Sequence, residues 1–218
     1  MLTTEFFKNT EKLWKEYSEH PFVKGIADGT LEQEKFKHYI IQDTLYLKEY
    51  ARVFLIGASK ADKIEYMRFL ATSGANMISN QEDVNKRYMR RMGLTLEEIY
   101  NTPFSLKNLS YVSYMIRIAY EGGVAEALAA IMPCALSYEA IAKKMLEDNP
   151  KCAEDSFYGD FILNYSRDAF HENNEKMKTL LNNFAEEYDD VRKKKLIDIF
   201  VKSSEYEMLF WDLSWELE

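Results

Sequence analysis

A chain of 218 residues that is 47% hydrophobic can bury one sizeable core, and its formal charge of −8 gives an isoelectric point near 5.1. That acidity argues against a general nucleic-acid surface, and two cysteines, Cys134 and Cys152, make no disulfide framework. No apolar run approaches the roughly 20 residues that span a bilayer, so neither nucleic acid nor membrane is expected as a partner, and the cysteine usage suits a reducing cytoplasm.

Helical signals follow one another along the chain. The start, "MLTTEFFKNTEKLWKEY", is amphipathic and contains acids, unlike a signal or transit peptide, and predicts a helix over 3–19 ending at His20-Pro21. A second helix is expected after Gly29, with Thr30 as N-cap and Gln33 completing a capping box. A third should run from about Asp62 to Arg91 and stop at Gly93. Thr95 with Glu98 caps a short helix before Pro103. Further helices are predicted over roughly 107–120, 124–147, 155–166, 168–187 and 190–216. No window alternates as a strand would, and no linker, repeat or low-complexity stretch appears. The reading is one all-α domain over 1–218, a bundle of long helices.

Polar residues on apolar faces carry the functional signal. In the second helix the stripe is Phe36, Tyr39, Ile40, Asp43, Tyr46, Leu47, Tyr50 and Phe54, with an aspartate in its middle. In the last helix it is Leu196, Phe200, Ser203, Glu207, Phe210 and Ser214, with a glutamate inside it; Glu205, Asp212 and Glu216 lie off that face. A buried carboxylate must be paired, neutralised or used. One such acid fits a structural network with an arginine or a tyrosine hydroxyl; two on separate helices beside a thiol point further.

The thiol comes from "GGVAEALAAIMPCALSYEAIAKKM", whose stripe is Val124, Leu128, Ile131, Cys134, Tyr138, Ile141 and Met145. Cys134 and Tyr138 are four apart, hence about 40° around the axis and about 6 Å along it, and can face one cavity. Pro133 donates no backbone hydrogen bond, so the helix should bend there and open space beside the thiol. An inert core cysteine fits this segment equally well. Cys152, in a polar loop after Lys151, is expected to do nothing specific. Fifteen tyrosines and thirteen phenylalanines supply aromatic walls, including Tyr111 and Tyr114 in "SYVSYMIR" and Tyr165 in "FILNYSRDAF".

Four stretches taken in order carry a family resemblance: "HPFVKGIADGTLEQEKFKHYIIQD", "SYVSYMIR", "MPCALSY" and "SSEYEMLFWDLSW". Over nearly its full length the chain resembles the TenA proteins (thiaminase II, the TENA/THI-4 family). The resemblance implies a haem-oxygenase-like helical fold, a homotetramer and no cofactor or metal. It also implies aminopyrimidine aminohydrolase activity, with cleavage of thiamine by the same chemistry. Carried over, the nucleophile falls on Cys134 and the carboxyl groups on Asp43, for ring-nitrogen recognition, and on Glu207, for the exocyclic amine and proton transfer. Tyr111 and Phe210 would stack the ring, while Tyr46, Tyr138 and Tyr165 orient it and the thiol. The chain departs from its relatives at Ala135, Leu136 and Ser137, where bulkier aromatics are common, which bears on the local pocket shape.

Other classes fit less well. A haem oxygenase needs a proximal histidine, and His20, His38 and His171 lie at a helix end or on charged stretches. A di-iron site needs paired Glu-x-x-His motifs, and Asp168 with His171 approaches one only once. The serious non-enzymatic alternative is a regulator of extracellular enzyme production, although no DNA-binding motif is present.

Overall fold

With few glycines and prolines to interrupt them, helices run long. The computed structural model describes residues 1–79, 84–154 and 156–218, and among these it contains α-helices and no strand. In chain order they are α1 (Leu2–Glu19), α2 (Pro21–Ala27), α3 (Gln33–Ser59), α4 (Ile64–Ser79), α5 (Val84–Met92), α6 (Leu96–Asn101), α7 (Leu106–Glu121), α8 (Val124–Asp148), α9 (Gly159–Ser166), α10 (Asp168–Glu186) and α11 (Asp190–Glu216).

The all-α expectation holds, with local corrections. His20-Pro21 ends α1 and at once starts α2: the His20 side chain caps it, accepting from the Phe22 amide, and Pro21 occupies the first turn, where its missing N–H costs nothing. Thr30 is not the N-cap of α3. The amides of Thr30 and Leu31 both donate to the Gly25 carbonyl, and Gly29 adopts φ +71°, so this stretch closes α2. Helix α3 then begins three residues after Thr30, with Glu32 as N-cap and no side-chain cap bond. The Thr95–Glu98 capping box is present in both directions, at 3.2 Å and 2.9 Å. Of the helix expected over Asp62–Arg91, α4 and α5 are described; residues 80–83 lie outside the described residues, and Gly93 at φ +66° follows the end of α5. Of the segment 155–166, Asp155 lies outside them and the helix starts at Gly159. A Cβ there would stand 2.3 Å from the Ala153 carbonyl oxygen, so only glycine fits.

Helix α8 is apolar on nearly every side, as a helix surrounded by others must be. By length and composition it could cross a membrane, which corrects the reading that no run is long and apolar enough; 89% of that stretch is buried inside the protein. Pro133 lies within it without ending it. Every pair among α3, α7, α8 and α11 is in contact, α9 and α10 pack on α8, and α5 packs on α3. Four mutually packed helices can each turn one face toward a common interior volume. The site residues lie there.

Candidate active site

Each wall contributes through helical spacing. Asp43 and Tyr46 lie one turn apart on α3, Cys134 and Tyr138 one turn apart on α8, and Glu207 and Phe210 one turn apart on α11. Tyr111 comes from α7 and Tyr165 from α9. Asp43 (3% exposed) and Glu207 (2% exposed) are buried, as are Tyr46, Tyr111, Tyr138 and Phe210, whereas Cys134 and Tyr165 are only half-buried. Cys134 packs against the hydrophobic core.

The polar atoms form a connected set. The Tyr111 hydroxyl donates to Glu207 Oε1 at 2.6 Å. The Tyr46 hydroxyl donates to Met115 Sδ at 3.6 Å, and the Cys134 thiol lies close enough to Glu207 and to Tyr46 for their electrostatics to be felt there. Across the site Tyr39 donates to the Tyr138 hydroxyl at 3.3 Å. Asp43 Oδ2 accepts from Asn85 Nδ2 at 2.6 Å. The rings interlock around these groups: Tyr46 lies 5.2 Å from Tyr111 and 5.6 Å from Phe210, and Tyr138 lies 4.9 Å from Tyr165 and 4.8 Å from Trp211. All eight residues singled out in the sequence are thus drawn into one site.

Burial sets the protonation states. It pushes the Glu207 carboxyl up to about 8, helped by the nearby Asp43 charge and opposed by donation from Tyr111 and Cys134. Burial, with Glu207 and Asp43 adding negative charge, also holds the Cys134 thiol well above its ordinary range, against donation from Tyr46. The Tyr46, Tyr111 and Tyr138 hydroxyls are raised too, first by burial, and stay neutral donors. The ligand-free pocket therefore holds a thiol and, at neutral pH, a largely protonated Glu207.

The histidines are engaged elsewhere. His20 caps α2 and lies 3.3 Å from Asp212, His38 reaches the Glu218 carbonyl at 2.7 Å, and His171 Nδ1 lies 2.6 Å from Glu139. Among the described residues no three of His, Cys, Asp and Glu converge as metal ligands. Cys152 lies in the loop between α8 and α9, as expected, with its side chain buried (6% exposed) against the hydrophobic core. The sequence reading missed Asn85 in the site. The signal was present: Val84, Asn85, Tyr88 and Met89 form the buried face of α5, and Asn85 is the polar residue on it.

Comparison with known proteins agrees with this geometry. The TENA/THI-4/PQQC family is matched over residues 7–217. The chain belongs to that family. It is 37% identical to an aminopyrimidine aminohydrolase of Helicobacter pylori, over 96% of each chain. Among solved structures, a TenA homologue from P. horikoshii OT3 superposes with a TM-score of 0.87 at 29% identity, covering 99% of both chains. A domain with a heme oxygenase-like fold from Shewanella denitrificans gives 0.76 at 13% identity, over 98% of this chain and 92% of the other, a likeness of fold alone. The TENA/THI-4/PQQC chain is thus an all-α protein of the haem-oxygenase-like type.

Proposed function

We propose that this TENA/THI-4/PQQC protein is an aminopyrimidine aminohydrolase acting in thiamine salvage. It hydrolyses 4-amino-5-aminomethyl-2-methylpyrimidine to the hydroxymethyl pyrimidine and ammonia, and cleaves thiamine by the same route. The protein is an enzyme of the hydrolase class, like the Helicobacter relative that bears this name. One observation carries the reading: a thiol and two buried carboxyl groups from three helices converge among tyrosine and phenylalanine rings.

Direct displacement of an amine from an aromatic methylene by water is slow, and the residue set supports a covalent route. Cys134 sulfur bonds to the ring carbon beside the substituted one. The ring electrons then form an exocyclic C=C bond as the C–N bond breaks. Water adds to that methylene and gives a proton to the Glu207 carboxylate left by amine departure, and loss of the sulfur as thiolate restores the ring. Asp43 holds the ring nitrogen side, and Tyr111 and Phe210 stack the ring. Tyr46 donates to the sulfur as it gains charge, while Tyr138 and Tyr165 orient ring and thiol. Glu207, neutral in the ligand-free pocket, lies beside the thiol and delivers a proton to the departing amine. Because Glu207 already carries a proton, the basic substrate is the acceptor that draws the thiol proton away.

A reducing compartment keeps Cys134 a thiol, and exposed apolar residues on α7, such as Leu106 and Tyr120, support assembly into a homotetramer. The test is ammonia release from the aminomethyl pyrimidine by the purified protein without added cofactor. Cys134→Ser should retain the fold and lose at least about a thousandfold in rate. Serine at parental rate would remove Cys134 as nucleophile, and binding without turnover in the parent would favour a ligand-binding regulator instead.

A further inference from the structure

Asp43 and Glu207 lie near enough for one charge to act on the other, yet they meet different donors. Glu207 is held by hydroxyl and thiol donors of the site itself. Asp43 meets a side chain from outside the four-helix cage: Asn85, from α5, 4% exposed, whose amide donates at 2.6 Å. The donor must be the NH2 end, since a carboxylate only accepts. The same nitrogen lies 3.5 Å from Thr44 Oγ1, which donates back to the Ile40 carbonyl at 2.7 Å, tying the amide to the α3 turn that carries Asp43. On their outer side Thr44 and Asn85 border a groove of about 120 Å³, so the amide lies between Asp43 and that groove. A donor at this position can fix which way the carboxylate faces.

We propose that Asn85 is a positioning residue: it orients the Asp43 carboxylate toward the bound ring, so that the carboxylate meets the ring's 4-amino group together with the adjacent ring nitrogen and sets the preference for a ring bearing that amino substituent. This rests on the reading of the pocket as an aminopyrimidine site. Loss of this donor should be read as a change of about tenfold or more in selective binding.

The experiment compares dissociation constants of 4-amino-5-hydroxymethyl-2-methylpyrimidine and its 4-deamino counterpart, by calorimetry, in the parent and in Asn85→Leu. The variant keeps the side-chain shape and removes the donor. Preference for the amino compound should collapse by about tenfold while the deamino compound binds as before. A purely structural role would weaken both alike, and either that result or an unchanged preference overturns the proposal. A parent that prefers neither compound would count against the aminopyrimidine reading, and Asn85 is then judged by a measurement needing no ligand and no change at position 85. Its side-chain amide protons should give a downfield, slowly exchanging pair in ¹⁵N-edited spectra of the free protein. The pair should move on Asp43→Ala; a pair indifferent to that substitution also overturns the proposal.

Discussion

Glu139 and Glu207 are both buried glutamates on central helices, and the protein treats them oppositely. Glu139 follows Tyr138 on α8, so its side chain leaves the hollow and meets cationic partners. Lys143 pairs with its Oε1, His171 lies 2.6 Å from that oxygen, and Asn174 donates to Oε2 at 2.6 Å. Burial alone would raise its pKa, but these donors outweigh it, and Glu139 is lowered below the ordinary glutamate value. Glu126 behaves likewise through the Gly123 amide and Arg192. Glu207 accepts from the Tyr111 phenol, lies near the Cys134 thiol and in the field of Asp43, and rises to about 8, first through burial. Burial does not make an acid chemically useful. Burial without a cation does.

Removing the two carboxylates one at a time tests this contrast most strongly. Glu207→Gln should leave the fold intact and lower kcat by about a hundredfold or more, the usual weight of a positioned proton donor. Glu139→Gln should leave the rate within about threefold and cost about 1–2 kcal/mol of stability, because Lys143 and Asn174 lose a charged acceptor. Steady-state rates and denaturant melts on both variants decide it. Equal rate losses would dissolve the distinction between a chemical and a structural acid.

The pH dependence of stability should run in opposite directions at the two residues. Glu207 is raised from 4.5 to about 8, so the folded protein holds its proton more tightly than the unfolded chain does. Its contribution is full below pH 4.5 and is lost as pH climbs to about 8. Glu139 is lowered, so its contribution is present above 4.5 and lost as pH falls through its depressed value. The melting temperature of the parent relative to Glu207→Gln should therefore decline between pH 4.5 and 8, while relative to Glu139→Gln it should decline on acidification. A flat difference for Glu207→Gln across that window would mean the carboxyl is already ionised at neutrality.

The sequence distinguished these acids only in part. Asp43 and Glu207 were legible because a 3.6-residue stripe makes any charged residue inside it conspicuous, and the same periodicity placed Cys134 with Tyr138. Glu139 was passed over because it stands beside the stripe rather than on it, and its partners His171 and Asn174 come from α10, 32 and 35 residues away. Asn85 was missed for a related reason: α5 is short and cationic, and only its packing on α3 turns the Asn85 face inward. Thr30 failed as a cap because the left-handed Gly29 let its amide close the preceding helix, a competition between two local signals that propensity does not rank. Which buried glutamate finds a cation is a tertiary fact, and it is what separates Glu139 from Glu207.

The smallest effect sharpens the comparison most finely. Tyr111 stacks on Tyr206, with ring centroids 5.2 Å apart and planes 7° apart, and its hydroxyl donates to Glu207 at 2.6 Å. Tyr111→Phe keeps the stacked ring and removes the donor. That donor stabilises the carboxylate form, so its loss should move the Glu207 midpoint above about 8, further from the lowered value of Glu139. The rate should fall only about fivefold, the worth of one hydrogen bond, with KM little changed because the stacking surface remains. The basic limb of kcat/KM against pH, which reports the free enzyme, should shift upward. If the rate falls while that limb stays in place, Tyr111 acts on the substrate alone, and the proton on Glu207 is held by burial without help from its nearest hydroxyl.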